Sequence, residues 1–106
     1  MVHMALWESG CNVVREGMSQ GLPCIVSNVY GLPGLVKDGI NGFCLPVHDA
    51  KAVGEKLNWL FDEKNENERK KIITANIEFG KGQSWTDVAR KMNTLYRECL
   101  LQTRMQ

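Results

Sequence analysis

Two glutamates with seven residues between them, Glu8 and Glu16, are the pair best placed to do chemistry in this sequence. A carboxylate can accept hydrogen bonds from two vicinal hydroxyls, so two carboxylates bracketing one segment can grip sugar rings on either side of a bound group. The segment between them, Ser9 to Arg15, begins as a polar loop and runs into a helical pattern. A helix start carries amide N–H groups with no intrahelical acceptor and the positive end of the helix dipole, which suits the Asn12 region to a phosphate. The same two carboxylates on a plain surface would merely be solvated, and their spacing alone does not separate the readings.

The elements that position this segment follow from the apolar pattern. Val2 to Trp7 reads as a short buried strand, and a helix runs from about Asn12 to Gln20. Asn12 is its expected N-cap, Val13, Val14, Gly17 and Met18 its apolar face, and Gly21 its left-handed stop before Leu22-Pro23. Cys24-Ile25-Val26 is a continuous apolar run of the kind found in strands buried on both faces. Gly31 to Asp38 reads as a short helix or irregular turn, and Phe43-Cys44-Leu45 as a third strand. The order β-α-β-α-β requires crossovers, so a small parallel sheet is expected, with its ligand edge beyond the carboxyl ends of the strands.

Past Asp49 the chain becomes charged and helical. Asp49 to Asp62 places Val53, Leu57, Leu60 and Phe61 on one stripe, and Glu66 to Phe79 carries Ile72, Ile73 and Ile77. A last helix opens with Ser84 and, three residues on, Asp87, in a capping-box arrangement. It aligns Val88, Met92, Leu95, Tyr96 and Cys99.

Composition narrows the function. A chain of 106 residues supports one core, so a single domain over 1–106 is expected. Its net charge of +1 supplies no general field for a nucleic-acid backbone, and nucleic acid is not an expected partner. No run reaches the roughly 18 apolar residues of a spanning helix, and Met1-Val2-His3-Met4 lacks a basic leader, which points to the cytoplasm. Cys11, Cys24, Cys44 and Cys99 form no CxxC pair, so no zinc site is expected and the thiols read as reduced, partly buried hydrophobes. His3 and His48 have no partner at metal or triad spacing. Trp7, Trp59 and Trp85 read as core or helix-packing aromatics, with Trp7, beside Glu8, a candidate pocket wall. Arg69-Lys70-Lys71 reads as a solvated face next to Glu66 and Glu68. Gly21, Gly31 and Gly42 read as turn and cap glycines, leaving Gly10 as the glycine placed for ligand contact.

Residues 8–23 resemble the Glu, seven residues, Glu signature of retaining glycosyltransferases with the two-Rossmann GT-B fold. Gly31-Leu32-Pro33, Asp38-Gly39, Asn41-Gly42-Phe43 and Ser84-Trp85 continue the resemblance in order, over about residues 2 to 100. It implies an α/β fold: a partial Rossmann-like parallel sheet with flanking helices and a helical C-terminal tail, part of a C-terminal donor-binding domain. It also implies transfer of a sugar from a nucleotide-diphospho-sugar to an acceptor with retention, using no cofactor and no essential metal. Carried over by position, Glu8 resembles the catalytic-site residue that meets donor-sugar hydroxyls, and Glu16 the residue that holds the ribose. The backbone of Cys11, Asn12 and Val13, with Gly10 beside it, is then expected to cradle the diphosphate and sugar.

Gly17, Ala5 and Gly34 depart from the usual Ala, Ser and Glu of the pattern, and Gly34 bears on sugar choice. The strand and loop expected to supply an Arg and a Lys to the diphosphate do not occur, nor does the N-terminal acceptor domain. A truncated domain without transfer activity of its own is therefore expected, from an enzyme that in full length is cytoplasmic and at most peripheral to a membrane. Two other readings stay open: a non-catalytic α/β module that self-associates through an exposed sheet edge, and a nucleotide-sugar epimerase-like fragment.

Overall fold

The computed structural model describes residues 1–105. In chain order the elements are β1 (Val2–His3), α1 (Asn12–Ser19), β2 (Cys24–Ser27), α2 (Leu32–Leu35), β3 (Gly42–Leu45), α3 (Ala50–Phe61), a 3-10 turn (Glu63–Asn65), α4 (Glu66–Gly80) and α5 (Trp85–Met105). Pro23 forces the chain extended after Gly21, whose φ of 82° is the left-handed stop expected of it. The strand that follows, β2, becomes the middle of a parallel sheet ordered β1-β2-β3. Val2 pairs with Ile25 on one side, and Cys24 to Ser27 pair with Gly42 to Leu45 on the other.

Alternation along β2 splits the core in two. Cys24 and Val26 join Val14 and Met18 of α1, Leu32 and Val36, while Ile25 joins Phe43, Leu45, Leu60 and Ile72 on the opposite face. Burying each such side chain contributes about 1.5–3 kcal/mol, so the sheet is held from both sides. Trp59 meets Phe43 edge-on at 5.4 Å between ring centroids, and Lys56 Nζ lies 4.6 Å from the centre of the same ring. Helix α4 runs against α1, where Gly80 passes so close to Ser19 that a Cβ would stand 2.9 Å from Ser19 Cα. From α4 the buried Asn76 donates through Nδ2 to the carbonyls of both Leu22 and Asn41, each at 2.9 Å.

The α/β class, the parallel order and all the helices occur as the sequence predicts, but several local expectations change. The first strand stops at His3 rather than reaching Trp7, because beyond Val26 it is the Ser27 hydroxyl, not a backbone amide, that donates to the Ala5 carbonyl, at 2.5 Å. The N-cap of α1 is Cys11, not Asn12, which is already helical. Val13 and Ile77 are each 46% exposed, Ile77 although its side chain lies against Gly21, and Phe61 is 81% exposed. Gly31 is right-handed at φ −77°, so its conformation is open to any residue. Gly42 serves close approach rather than turning, since a Cβ there would overlap the Cys24 carbonyl oxygen across the β2–β3 pair.

The Ser84–Asp87 capping box forms reciprocally, the Ser84 amide donating to Asp87 Oδ2 at 3.2 Å and the Asp87 amide to Ser84 Oγ at 3.1 Å. The helix it starts leaves the body of the domain. Val88, Met92, Leu95, Tyr96 and Cys99 share a face as predicted, yet all are exposed. At about 1.5 Å per residue α5 is long enough to account for the radius of gyration of 17.4 Å, against about 13 Å for a compact chain of 100 residues. Periodicity identifies which residues share a face; it does not supply what covers them. Lys70 pairs with Glu66 and Lys71 with Glu68 on the solvated face expected, whereas Arg69 turns inward to the Leu60 carbonyl.

Gly42→Ala is expected to destabilise the chain by about 3 kcal/mol, the upper range for overpacking against a rigid neighbour. Urea denaturation of the two proteins measures it, and a midpoint shift near zero would mean that the strands separate without cost.

Candidate functional site

Glu8 sits in the loop between β1 and α1 and folds back onto its own segment. Its Oε2 lies 2.7 Å from His3 Nε2, and its Oε1 accepts from the amides of Ser9 at 3.1 Å and Cys11 at 3.2 Å. The His3 hydrogen bond first, and the Cys11 amide second, hold the carboxyl below its ordinary value. Glu8 thus does the capping that Cys11, with φ 56° and no side-chain bond of its own, does not. The Cys11 thiol is buried, and that burial, with the Glu8 charge adding to it, pushes its pKa up, so it remains neutral beside the helix start.

With the Cys11 amide engaged by Glu8, the free donors at the start of α1 are the amides of Asn12, Val13 and Val14, since the first intrahelical bond runs from Arg15 N to Cys11 O. Of the expected cradle, Cys11 therefore serves by shaping the turn, and Asn12 and Val13 present the donors. Gly10 is exposed just before them, its missing Cβ facing the Asn12 side chain at 3.8 Å. Glu16 lies one turn into α1 and is exposed. It lines a groove of about 420 Å³ with Asn12, Arg15, Ser19, Trp85 and Val88, between the outer face of α1 and the start of α5. Glu8 is not part of that groove's wall. The two carboxylates bracket the helix start from different sides, with Glu8 turned in and Glu16 turned out.

Trp85, expected to pack, is instead 87% exposed on the rim of this groove. Trp7 lines neither this groove nor the larger cavity of about 550 Å³ by Met4, Leu6, His48, Asp49 and Val53. That larger cavity is mainly apolar, and its one carboxylate, Asp49, is occupied in capping α3 through the Ala52 amide at 3.0 Å. It therefore offers less to a polar ligand than the start of α1. His3 was the residue that spacing did not reveal. A contact five positions apart across a loop follows neither the helical nor the strand period, and only the folded turn brings the imidazole to Glu8.

The model of the family of glycosyl transferases group 1 matches residues 1–79, a span that contains β1, both glutamates and the whole sheet. The chain belongs to the group 1 glycosyltransferases. Among relatives, it is 30% identical over 93 residues, 88% of this chain, to the D-inositol 3-phosphate glycosyltransferase of Thermobifida fusca, covering 21% of that protein. It is 36% identical over 74 residues, 65% of this chain, to the UDP-Gal:alpha-D-GlcNAc-diphosphoundecaprenol alpha-1,3-galactosyltransferase of Escherichia coli, covering 19% of it. The fold is that of sucrose-phosphate synthase from Thermosynechococcus elongatus, with a TM-score of 0.78 at 24% identity over 94% of this chain and 25% of that one. This group 1 glycosyltransferase chain thus spans about a fifth of the length of the relatives it matches. Membership favours the transferase reading over the interaction-module and epimerase-like ones. No helix among the described residues is long and apolar enough to cross a membrane.

Because the folded Glu8 is more acidic than its ordinary 4.5, ionised Glu8 stabilises the fold above that pH, and the contribution is lost as pH falls through the lowered folded value. Glu8→Gln is accordingly expected to melt below wild type at pH 7 and to converge with it in acid, as pH falls through the lowered folded value. Thermal melts across that range check it, and a gap that persists in acid would point to shape rather than charge.

Proposed function

We propose that this chain is the nucleotide-sugar-binding part of the C-terminal domain of a retaining glycosyltransferase that builds a polysaccharide or glycolipid. The observation that carries the reading is the start of α1: free amides at Asn12 and Val13, flanked by the carboxylates of Glu8 and Glu16, at the carboxyl edge of a parallel sheet. A diphosphate set against those amides gains hydrogen bonds and the positive end of the helix. The glycosidic bond from the anomeric carbon to the leaving phosphate oxygen breaks, and the acceptor oxygen bonds to the same carbon on the same face. The negative charge that grows on the departing diphosphate is met by donors already in position, which is where such a site lowers a barrier.

In this reading Glu8 uses its remaining acceptor position for a hydroxyl of the donor sugar, since a carboxylate has about four lone-pair positions and three are engaged. Glu16, on the exposed face one turn further, accepts from the ribose. Two relatives carry UDP-Gal and GDP-mannose in their names, which supports a nucleotide-diphospho-sugar as the donor class. The acceptor is bound by an N-terminal domain in the part of the relatives that this chain does not span, and the same holds for the cationic contacts to the diphosphate. The chain alone then binds donor without transferring sugar, and no cofactor takes part. Its full-length enzyme works in the cytoplasm, peripheral to the membrane where its acceptor is lipid-linked. In isolation the outer edge of β1, which pairs only with β2 among the described residues, is a surface for self-association.

Saturation-transfer NMR of the chain with UDP, GDP and their sugar conjugates tests the assignment. Ribose and sugar protons are expected to receive saturation, and Glu16→Ala to weaken binding about tenfold, the cost of one hydrogen bond to a charged group. Unchanged affinity in Glu16→Ala would remove Glu16 from the ribose site, and no saturation with any nucleotide would remove the site itself.

A further inference from the structure

Two large aromatics stand in the open at the ligand edge, and the fold holds them there. Trp7 and Tyr30 are each 65% exposed, and their rings meet edge-on with centroids 5.9 Å apart at an interplanar angle of 67°. They come from different strand–helix loops, Trp7 from the one after β1 and Tyr30 from the one after β2. Those loops are already in register, since a Cβ on Gly31 would meet Cys11 Sγ at 3.7 Å. Tyr30 is moreover held at φ 49°, a conformation that glycine adopts freely and a bulky side chain does not. A hydrogen bond from Leu32 N to Val29 O closes the turn around it. A tyrosine in a glycine's conformation, two-thirds exposed and braced on a tryptophan, has no packing reason to be tyrosine.

We propose that Trp7, braced edge-on by Tyr30, is a stacking platform for the hexose ring of the donor, which selects the sugar rather than the nucleotide. This rests on the reading of Glu8 given above. A pyranose has a rim of hydroxyls and a face of C–H groups, and recognising it takes an acceptor for the rim and an apolar aromatic surface for the face. The Glu8 carboxylate supplies the first and the ring next to it in sequence supplies the second. Placed one residue before the carboxylate, the platform contacts the sugar end of the donor and leaves the amides of Asn12 and Val13 to the diphosphate.

The test uses Tyr30→Gly, which removes the ring while relieving its backbone, so that loss of fold does not confuse the result, with Trp7→Leu as the second variant. Dissociation constants are measured by saturation-transfer NMR for UDP against UDP-galactose, for GDP against GDP-mannose, and for the methyl α-glycosides of the two sugars. Tyr30→Gly is expected to melt no lower than wild type. Each variant is expected to bind UDP and GDP as wild type does and to lose about five- to tenfold for the preferred nucleotide-sugar, the scale of one aromatic contact. An unchanged ratio of nucleotide-sugar to nucleotide affinity in both variants overturns the platform, as does a wild type that gains nothing from the sugar. If no nucleotide binds, the donor reading fails separately. The methyl glycosides then decide the platform: saturation that falls in both variants upholds it, and none in wild type ends it.

Discussion

The structure depends on β2 being buried on both faces while its backbone is paired on both sides. Cys24, Ile25, Val26 and Ser27 have almost no contact with water, so every polar group of their backbone must find a partner within the sheet. That requirement fixes the register with β3 over all four residues and draws the short β1 onto the other side. It also explains Gly42, the one position across the pair where a side chain would collide with the carbonyl of Cys24. Once β2 is set, its two faces dictate the two halves of the core, and its carboxyl end dictates where the loops converge.

Those loops share a device. Each of the three junctions between a strand and the following helix contains one non-glycine residue with positive φ: Cys11 before α1, Tyr30 before α2 and His48 before α3. Such backbone persists only where neighbours over-determine it, and here the neighbours are the carboxylate of Glu8 at one junction, a closed turn at the second and the Asp49 cap at the third. The effect at the first junction is electrostatic as well as geometric. Glu8 ties down the amide nearest to it and leaves the next three free, so the phosphate-attracting end of α1 is offset from the carboxylate rather than cancelled by it.

Much of this was legible in the sequence, for definite reasons. The unbroken run Cys24-Ile25-Val26 after Pro23 identifies a central strand, and the glycine after Gln20 ends a helix, because both signals are local and steric. The pair Glu8 and Glu16 is legible as a bracket around a helix start, and the family match over residues 1–79 spans it. What was not legible depends on contacts that chain periodicity does not encode. His3 reaches Glu8 only through a turn, and the cap passes from Asn12 to Cys11 because a carboxylate three residues upstream takes the amide. The stripes on α3 and α5 are legible as faces, yet Phe61 at the end of one and Met92, Leu95 and Tyr96 along the other remain exposed, because a stripe records what a helix is ready to bury and not what stands opposite.

Asn76 carries a consequence for the order of events as the chain is made. Its amide nitrogen joins the carbonyl of Leu22, just before β2, to that of Asn41, just before β3, across separations of 54 and 35 residues. Its oxygen meets no partner among the described residues, so the side chain is buried for those two bonds alone. The amino ends of two adjacent strands are therefore fastened by a residue from a much later helix, and contacts so distant along the chain form slowly. Within this chain the segment holding both glutamates is made before α4, so the clasp on the amino ends of β2 and β3 closes only after the helix that supplies Asn76 has followed.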